Sequence, residues 1–348
     1  MTLASAAPPG SEFTLPAAYH WLATHGAQPG SAGQFHFGNP ESEAAAALTG
    51  DVLAALTDTG HLLAQGADTD AFLQGQLSND IRELTHSHAL FASYNSAKGR
   101  ALALPVLIRH DDGIWIELPN DLLDSTLKRL KMFVLRSKVT LARADVAALG
   151  VAGPNAAARL AAAGLPAPEQ PWSCLDAEGL TVLRRPGDGA RYVVYGSAEA
   201  IATRWPALAR DATPVGSHAW RLLELLAGIP IVHEASREQH VPQMLNLDQL
   251  GAISFTKGCY PGQEIVARLH YLGNLKRRLF VYSGAVSSPA AGTPVYAADG
   301  GEQAVGEVLD AQPHPELGCA LQIVLQLSHQ GAALQLGAPD GPTLKPQR

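Results

Sequence analysis

The stretch SFTKGCYPGQEIVARLHYLGNLKRRL, residues 254–279, has the highest density of unusual residues in the chain. Gly258 removes a side chain beside Cys259, and the pair Pro261 and Gly262 supplies one fixed and one permissive φ angle, as a tight turn requires. The apolar residues that follow predict a short helix or strand. We therefore expect a sharp, accessible loop that presents Cys259 and leads into a regular element.

The same stretch carries a local positive charge within an acidic chain. Its basic residues are Lys257, Arg268, Lys276, Arg277 and Arg278, against the single acid Glu264. A positive field favours the thiolate of Cys259 and also attracts carboxylates or phosphates. Two plainer explanations stay open: Cys259 fills a small apolar gap, as free cysteines often do, and residues 276–278 are a solvated strand entrance.

The composition bounds the class of protein. A chain of 348 residues is long enough for two or three domains, and 47% apolar against 16% charged residues provides ample core material. The net charge of −7 argues against a protein that coats nucleic acid or anionic membrane over its whole surface. Three separate cysteines without a CxxC pair argue against a disulfide scaffold and a sequence-local metal cage. With no membrane-length apolar run and no secretory pattern, we expect a cytoplasmic protein without a membrane partner.

Hydrophobic patterns divide the chain into four segments. They are a poorly ordered leader over residues 1–45, an α+β segment over 46–149, a second α+β segment over 150–275 and a C-terminal segment over 276–340. In the last segment, short apolar runs separated by Gly, Pro, Asp and Ser predict a small β-barrel or sandwich.

Two local features within these segments are predicted most sharply. Residues 100–109 and 113–119 read as two strands joined by a tight turn, which predicts an antiparallel hairpin. A helix over residues 217–227 has Ser217 as its N-cap, Gly228 just past its end and Pro230 beyond.

The sequence KGCYPGQEIVAR at residues 257–268 resembles the K-G-C-[FY]-x-G-Q-E signature of the YgfZ family of folate-binding proteins. This family is similar to the glycine-cleavage T-protein, an aminomethyltransferase. Further matches are FLQGQLSNDI at 72–81, the Lys98-Gly99-Arg100 turn, AGIPIV at 227–232 and VPQMLNLDQLGAISF at 241–255. The resemblance spans roughly residues 55–335, and its length and fixed spacing make the assignment specific.

The resemblance implies the fold class. We expect an α+β protein with a T-protein-like, three-domain cloverleaf around a central folate channel, made of two α+β domains and a C-terminal small β-barrel. In these relatives the first domain is often discontinuous, and the signature loop lies near the channel. The linear cuts at 150 and 276 are therefore provisional.

The resemblance also bears on activity. Aminomethyl transfer in the T-protein relies on an acidic residue shortly after its Lys-Gly turn, and Ala103 and Leu104 stand at that place here. Neither side chain can bond a folate nitrogen or exchange a proton. What remains resembles the YgfZ role: a tetrahydrofolate-binding accessory protein that supports iron–sulfur cluster assembly or repair and tRNA modification. Its expected partners are folate and iron–sulfur enzymes or their assembly factors.

The site residues follow from this resemblance. Cys259 is the expected reactive thiol, activated by Lys257. The expected contacts to tetrahydrofolate or a one-carbon derivative are Asn79, Asp80, Lys98, Arg221, Gln263, Glu264 and Arg268. A planar guanidinium suits the folate carboxylates, although Glu224 stands nearer than Arg221 to the position that T-protein relatives give an arginine.

Two alternatives stay open. A folate-dependent aminomethyl or other one-carbon transferase would need Asp80 or Glu264 in place of the lost acid, whereas Asp80 equally suits the cap of a short helix. Direct tRNA binding by residues 276–278, aided by Tyr271, is opposed by the acidity of the whole chain.

Overall fold

The computed structural model describes residues 15–30 and 35–347. Of the predicted leader, residues 1–14 and 31–34 lie outside the described part. The rest of it contains a 3-10 helix (Ala17–His25), strands β1 (Gln28–Pro29) and β2 (Phe35–His36), and helix α1 (Pro40–Thr49).

This part of the chain belongs to the core, which differs from the poorly ordered leader we expected. Tyr19 and Leu22 are buried, and the Tyr19 hydroxyl accepts a hydrogen bond from the Ala148 N–H at 2.7 Å. This helix buries only two side chains, and 3-10 geometry does not repeat with the period of an α-helix. The sequence therefore shows no helical pattern here.

The first sheet is antiparallel and has the strand order β10-β4-β9-β8-β5. The elements of this part are β3 (Val52–Ala55), β4 (Thr59–Gln65), α2 (Thr69–Gln74), β5 (Leu90–Phe91), β6 (Tyr94–Asn95), β7 (Ala101–Ala103), β8 (Val106–His110), β9 (Gly113–Pro119), α3 (Asn120–Val134) and β10 (Thr140–Ala144). The predicted hairpin is confirmed as β8 and β9. Its first strand is interrupted at Leu104 and Pro105, because β7 pairs separately with β6.

The second sheet has six strands in the order β12-β13-β14-β11-β3-β15. Its elements beyond β3 are β11 (Ala147–Ala152), α4 (Ala156–Ala162), β12 (Cys174–Ala177), β13 (Leu180–Arg184), β14 (Arg191–Gly196), α5 (Ala198–Leu208), β15 (Thr213–Val215) and α6 (Ser217–Leu226). Strand β3 pairs antiparallel with β11 and parallel with β15. The sheets therefore do not follow the linear cut at residue 150, since an early strand lies between two later ones.

The C-terminal strands close into a barrel in the order β16-β19-β18-β17-β20-β21. A connector with 3-10 turns at Glu234–Ser236 and Pro242–Leu245 leads to helix α7 (Gln263–Tyr271), and the barrel strands are β16 (Arg277–Gly284), β17 (Pro294–Ala297), β18 (Ala304–His314), β19 (Gly318–Gln326), β20 (Leu334–Leu336) and β21 (Thr343–Pro346). The predicted α+β architecture with a small C-terminal barrel is confirmed.

Two glycine turns meet where α7 begins. Gly262 caps α7 with φ +75°, and a Cβ on it would lie 2.5 Å from the Gly99 Cα and from the Ser96 carbonyl oxygen. Gly99 has φ +70°, and a Cβ there would lie 2.7 Å from the Ile265 Cβ. The Lys98-Gly99-Arg100 turn and the signature loop are thus pressed together with no room for a side chain at either glycine.

We predict that Gly262→Ala lowers the free energy of unfolding by about 1–3 kcal/mol, the usual cost of overpacking, with added strain from the positive φ. The matched control is Gly258→Ala, where nothing lies within 4 Å of an added Cβ. Its effect should stay within about 0.5 kcal/mol. Urea unfolding of both variants checks this, and equal losses would contradict the packing described.

Candidate functional site

A cavity lies between the two sheets and α6; the space between its lining atoms, including the solvent at its mouth, is about 590 Å³. Its apolar lining includes Leu56, Phe91, Leu104, Val106, Leu118, Val193, Trp220 and Ile229, and its polar lining is Asp58, Thr59, Glu117, Arg185, Arg221 and Glu224. An apolar cleft with a few converging polar groups is the usual form of a small-molecule site.

A buried network of charges lies under this cavity. Arg185 contacts Glu224 at 2.9 Å and Glu117 at 3.3 Å, while Arg191 contacts Glu224 at 3.4 Å. The Tyr195 hydroxyl donates to Glu117 at 2.8 Å. Burial alone would raise the pKa of Glu224, but the charges of Arg185 and Arg191 outweigh it and lower that pKa to about 2. Both acids are therefore held ionised against their arginines.

Arg221 has one donor left over for a ligand. Its Nε donates to Asp310 at 2.8 Å and its Nη1 to the Ile229 carbonyl at 3.3 Å. Its Nη2 is buried and has no hydrogen-bond partner among the described residues. Arg221 lines the cavity and only 7% of the residue is exposed, so this buried donor stays unpaired at a cost in free energy.

The cavity wall carries no acid at the place named by the T-protein resemblance. Leu104 lines the cavity, and Ala103 is buried in β7 opposite Tyr94. A carboxyl group that sequence reasoning missed, Asp58, lines the same cavity. Burial raises its pKa, which favours the protonated form that can donate a hydrogen bond. In the sequence, Asp58 is a polar residue in a turn between two apolar strands. Many connections between strands have this pattern, so it does not indicate a ligand site.

The signature segment contributes no residue to the described lining of this cavity. Strand β7 connects the two places: the turn containing Gly99 contacts Gly262 before the strand, and Leu104 lines the cavity after it. The signature loop itself does not line this cavity, so its expected place near the folate channel stays a prediction.

Lys257 stabilises the chain around the end of α2. Its Nζ donates to the carbonyl oxygens of Gln74, Leu77 and Asn79 at 2.7, 2.6 and 2.8 Å. These bonds use all three N–H groups of an ammonium, which leaves no hydrogen for the sulfur of Cys259. Burial lowers the pKa of Lys257 to about 8. The described contacts therefore give Lys257 a structural role in holding the loop. They do not support the predicted activation of Cys259 by a direct hydrogen bond from Lys257.

Cys259 itself is exposed, whereas Cys174 and Cys319 are buried. Burial raises the pKa of Cys174 to about 12, so that thiol stays protonated. The signature loop therefore presents the accessible sulfur that the sequence predicted, and the reading of Cys259 as a filler of an apolar gap is wrong.

Asn79 and Asp80 make structural contacts and do not line the cavity. Asn79 donates to the carbonyl oxygens of Phe91 and Gly251, and Asp80 accepts from Gln74 and from Arg82. Arg82 holds the pKa of Asp80 far below its usual range. Asp80 also caps the 3-10 turn Ile81–Glu83, so its capping role is the one the contacts support.

The remaining predicted contacts surround the signature loop on the surface. Lys98, Glu264 and Arg268 are exposed and Gln263 is half-buried; none of them lines the described cavity. Arg278 is paired with Asp248 through two contacts of 2.9 and 2.8 Å, so the basic run at 276–278 is partly neutralised. Of the predicted folate contacts, Arg221 is the one that lines the cavity.

The chain is similar to curated proteins of one family. The chain is 38% identical over 258 residues to a "tRNA-modifying protein YgfZ" of Klebsiella pneumoniae, which covers 73% of this chain and 77% of that protein. It is 30% identical over 274 residues to the protein of that name from Colwellia psychrerythraea, covering 78% and 84%. The chain belongs to the YgfZ family. No protein-family model matches it.

The fold of this YgfZ family member is that of the T-protein. The glycine cleavage system aminomethyltransferase T from Bartonella henselae superposes with a TM-score of 0.75 over 95% of both chains, at 16% identity. That identity speaks to the fold alone. Within the described ranges, no helix has the length and apolarity to cross a membrane, and no cluster of three or more His, Cys, Asp or Glu side chains could hold a metal ion.

We predict that the native protein reacts rapidly with Ellman's reagent at one thiol per chain, Cys259, because the other two are buried. Cys259→Ser should remove this fast reaction, and denaturant should expose the remaining thiols in both proteins. A second fast thiol in the native protein would contradict the burial of Cys174 and Cys319.

Proposed function

We propose that this protein is a tetrahydrofolate-binding accessory protein that supports iron–sulfur cluster assembly or repair and, through it, tRNA modification. The observation that carries folate binding is an apolar cavity lined by Arg221, whose buried Nη2 has no hydrogen-bond partner among the described residues. Membership of a family whose named relatives are tRNA-modifying proteins supports the second part. On this proposal the protein acts in the cytoplasm.

The cavity residues fit a folate. Trp220, Phe91 and Leu104 provide apolar and aromatic surface for a flat heterocycle. Arg221 offers a donor to a ligand oxygen, and Asp58 offers a carboxyl group to ring nitrogens. Bound tetrahydrofolate would supply one-carbon chemistry; the residues of this chain bind and orient it and keep water from the apolar part of the cavity.

Cys259 has a separate role on this proposal. Its exposed thiol meets a protein partner at the surface, an iron–sulfur enzyme or an assembly factor, while folate occupies the cavity at the other end of β7. Thiolates are iron ligands and nucleophiles, and both properties are useful in the assembly or repair of iron–sulfur clusters. The described contacts of Lys257 support this only by holding the loop in place.

A folate-dependent one-carbon or aminomethyl transferase is the second candidate, and Asp58 is the observation that favours it. Asp80 is engaged by Arg82, and Glu264 faces outward from α7, so neither acid reaches the cavity. Asp58 does line it, with a raised pKa. Turnover of methylenetetrahydrofolate with an amine donor that is lost in Asp58→Asn would establish this candidate.

We predict that Arg221→Ala weakens 5-formyltetrahydrofolate binding by about tenfold or more, since a hydrogen bond from a charged donor is worth about 1.5–3 kcal/mol. Calorimetric titration measures this. Arg143→Ala is the control, because Arg143 is an exposed arginine of β10 that pairs with Asp124 of α3. Arg221→Lys keeps a charge for Asp310 and separates the loss of the ligand donor from loss of folding. If Arg221→Ala and Arg221→Lys both bind 5-formyltetrahydrofolate as tightly as the wild type, Arg221 is not part of the site.

We predict that Cys259→Ser abolishes iron–sulfur-dependent tRNA thiolation in cells that rely on this protein, while folate affinity is unchanged because Cys259 does not line the cavity. The modified nucleosides are measured by mass spectrometry. Arg143→Ala, a change at an exposed residue of β10, is the control. Unchanged thiolation in Cys259→Ser would discard the thiol role and leave folate binding standing.

A further inference from the structure

Helix α7 exposes apolar side chains directly after the Cys259 loop. Ile265, Tyr271 and Leu272 are 38%, 64% and 86% exposed, whereas the outward face of a surface helix is normally polar. We propose that this face docks the protein partner on which Cys259 acts, and that this partner presents an acidic surface with an apolar centre. The inference rests on the proposed function, since it names the binding surface that the thiol role requires.

The exposed residues share one side of the helix. At 100° per residue, Ile265, Arg268 and Leu272 fall within an arc of about 60°, with Tyr271 next to Arg268 and the buried Val266 turned inward. We call Ile265, Arg268, Tyr271 and Leu272 the α7 patch. Helix α7 has nine residues, so the patch extends about 13 Å from the loop.

The position of the patch relative to Cys259 is fixed. The Gly262 cap separates the cysteine loop from the first turn of α7, and its close contact with Gly99 leaves no slack between them. A partner seated on the patch is therefore within reach of the thiol. Exposed apolar surface around a rigidly held reactive group is typical of a recognition site.

The charges around the patch select an acidic partner. Lys98, Arg100, Arg268 and Lys276 are exposed cations in or next to this segment, and Glu264 is the one acid of residues 254–279. The chain as a whole carries −7, so this is a local reversal of sign. Complementary charge accelerates association and excludes partners of the wrong sign.

The side chains of the patch favour a protein over a nucleic acid. Ile265 and Leu272 are aliphatic and offer no ring for a base to stack on, and the ring of Tyr271 packs edge-on against Phe255 and His270. The nearby rings of Phe255 and His270 are stacked on each other with centroids 3.7 Å apart. An apolar centre inside a charged rim is the arrangement found at protein interfaces.

The test compares patch variants with controls at exposed leucines elsewhere on the surface. Tyr271→Ala and Leu272→Ser should each lower iron–sulfur-dependent tRNA thiolation in cells by about fivefold or more, as truncation of an interface anchor does. Arg268→Glu should do the same by opposing the acidic partner. Leu317→Ser on the barrel and Leu175→Ser on β12, 36% and 42% exposed, should have no effect. All variants should keep wild-type melting temperatures and 5-formyltetrahydrofolate affinity.

The outcomes separate this inference from the proposed function. Loss of thiolation in Cys259→Ser but not in the patch variants overturns the docking surface alone. Loss in the patch variants but not in Cys259→Ser supports the surface and discards the thiol. Wild-type thiolation in every variant overturns both. Salt-sensitive binding of purified tRNA that Arg268→Glu weakens would identify a nucleic acid, and a dimer in sedimentation that Leu272→Ser disrupts would identify a second copy; either result overturns the acidic protein partner.

Discussion

The paired charges of Arg185, Glu224, Glu117 and Arg191 are the constraint on which the cavity depends. Buried ions are tolerated only when they face opposite charges, because the cost of removing a single one from water is several kcal/mol. The four groups come from β9, α6, the start of β14 and the residue after β13. Their pairing therefore fixes the two sheets and α6 relative to one another, and with them the shape of the space in which Arg221 keeps an unpaired donor.

Local patterns revealed much of the fold, and long-range pairing was what they could not reveal. The barrel, the β8–β9 hairpin and α6 were predictable because each is marked by its own spacing, turn or following glycine; Gly228 after α6 has the positive φ that its place implied. The predicted N-cap of α6 was wrong by one residue: Gly216 precedes the helix and Ser217 is its first residue. The insertion of β3 between β11 and β15 depends on residues about 100 and 160 positions away, and no local pattern encodes such a partner. The anchoring of the 3-10 turn by Tyr19 is of the same kind.

The site divides in the same way. The signature loop is contiguous, so the sequence identified both its exposed cysteine and its glycine turn. The cavity is assembled from Asp58, Glu117, Arg185, Arg221 and Glu224, which are scattered over four elements and turns. The sequence shows Glu117 as a charged residue in the apolar strand GIWIELP, and Arg184 and Arg185 as charged residues at the end of another apolar run. It does not show that Glu117 and Arg185 contact each other. Asn79, Asp80 and Lys257 belong to recognisable motifs and make hydrogen bonds to backbone groups, and a motif match alone cannot distinguish this structural role from ligand binding.

The exposed sulfur of Cys259 lies outside the cavity and can be labelled chemically. A thiol-reactive dye, spin label or solid support would couple to a single surface position and leave the pocket mouth unobstructed. The molecule thus carries a natural attachment point for immobilisation or for a spectroscopic reporter, with no engineered cysteine and no removal of the two interior ones.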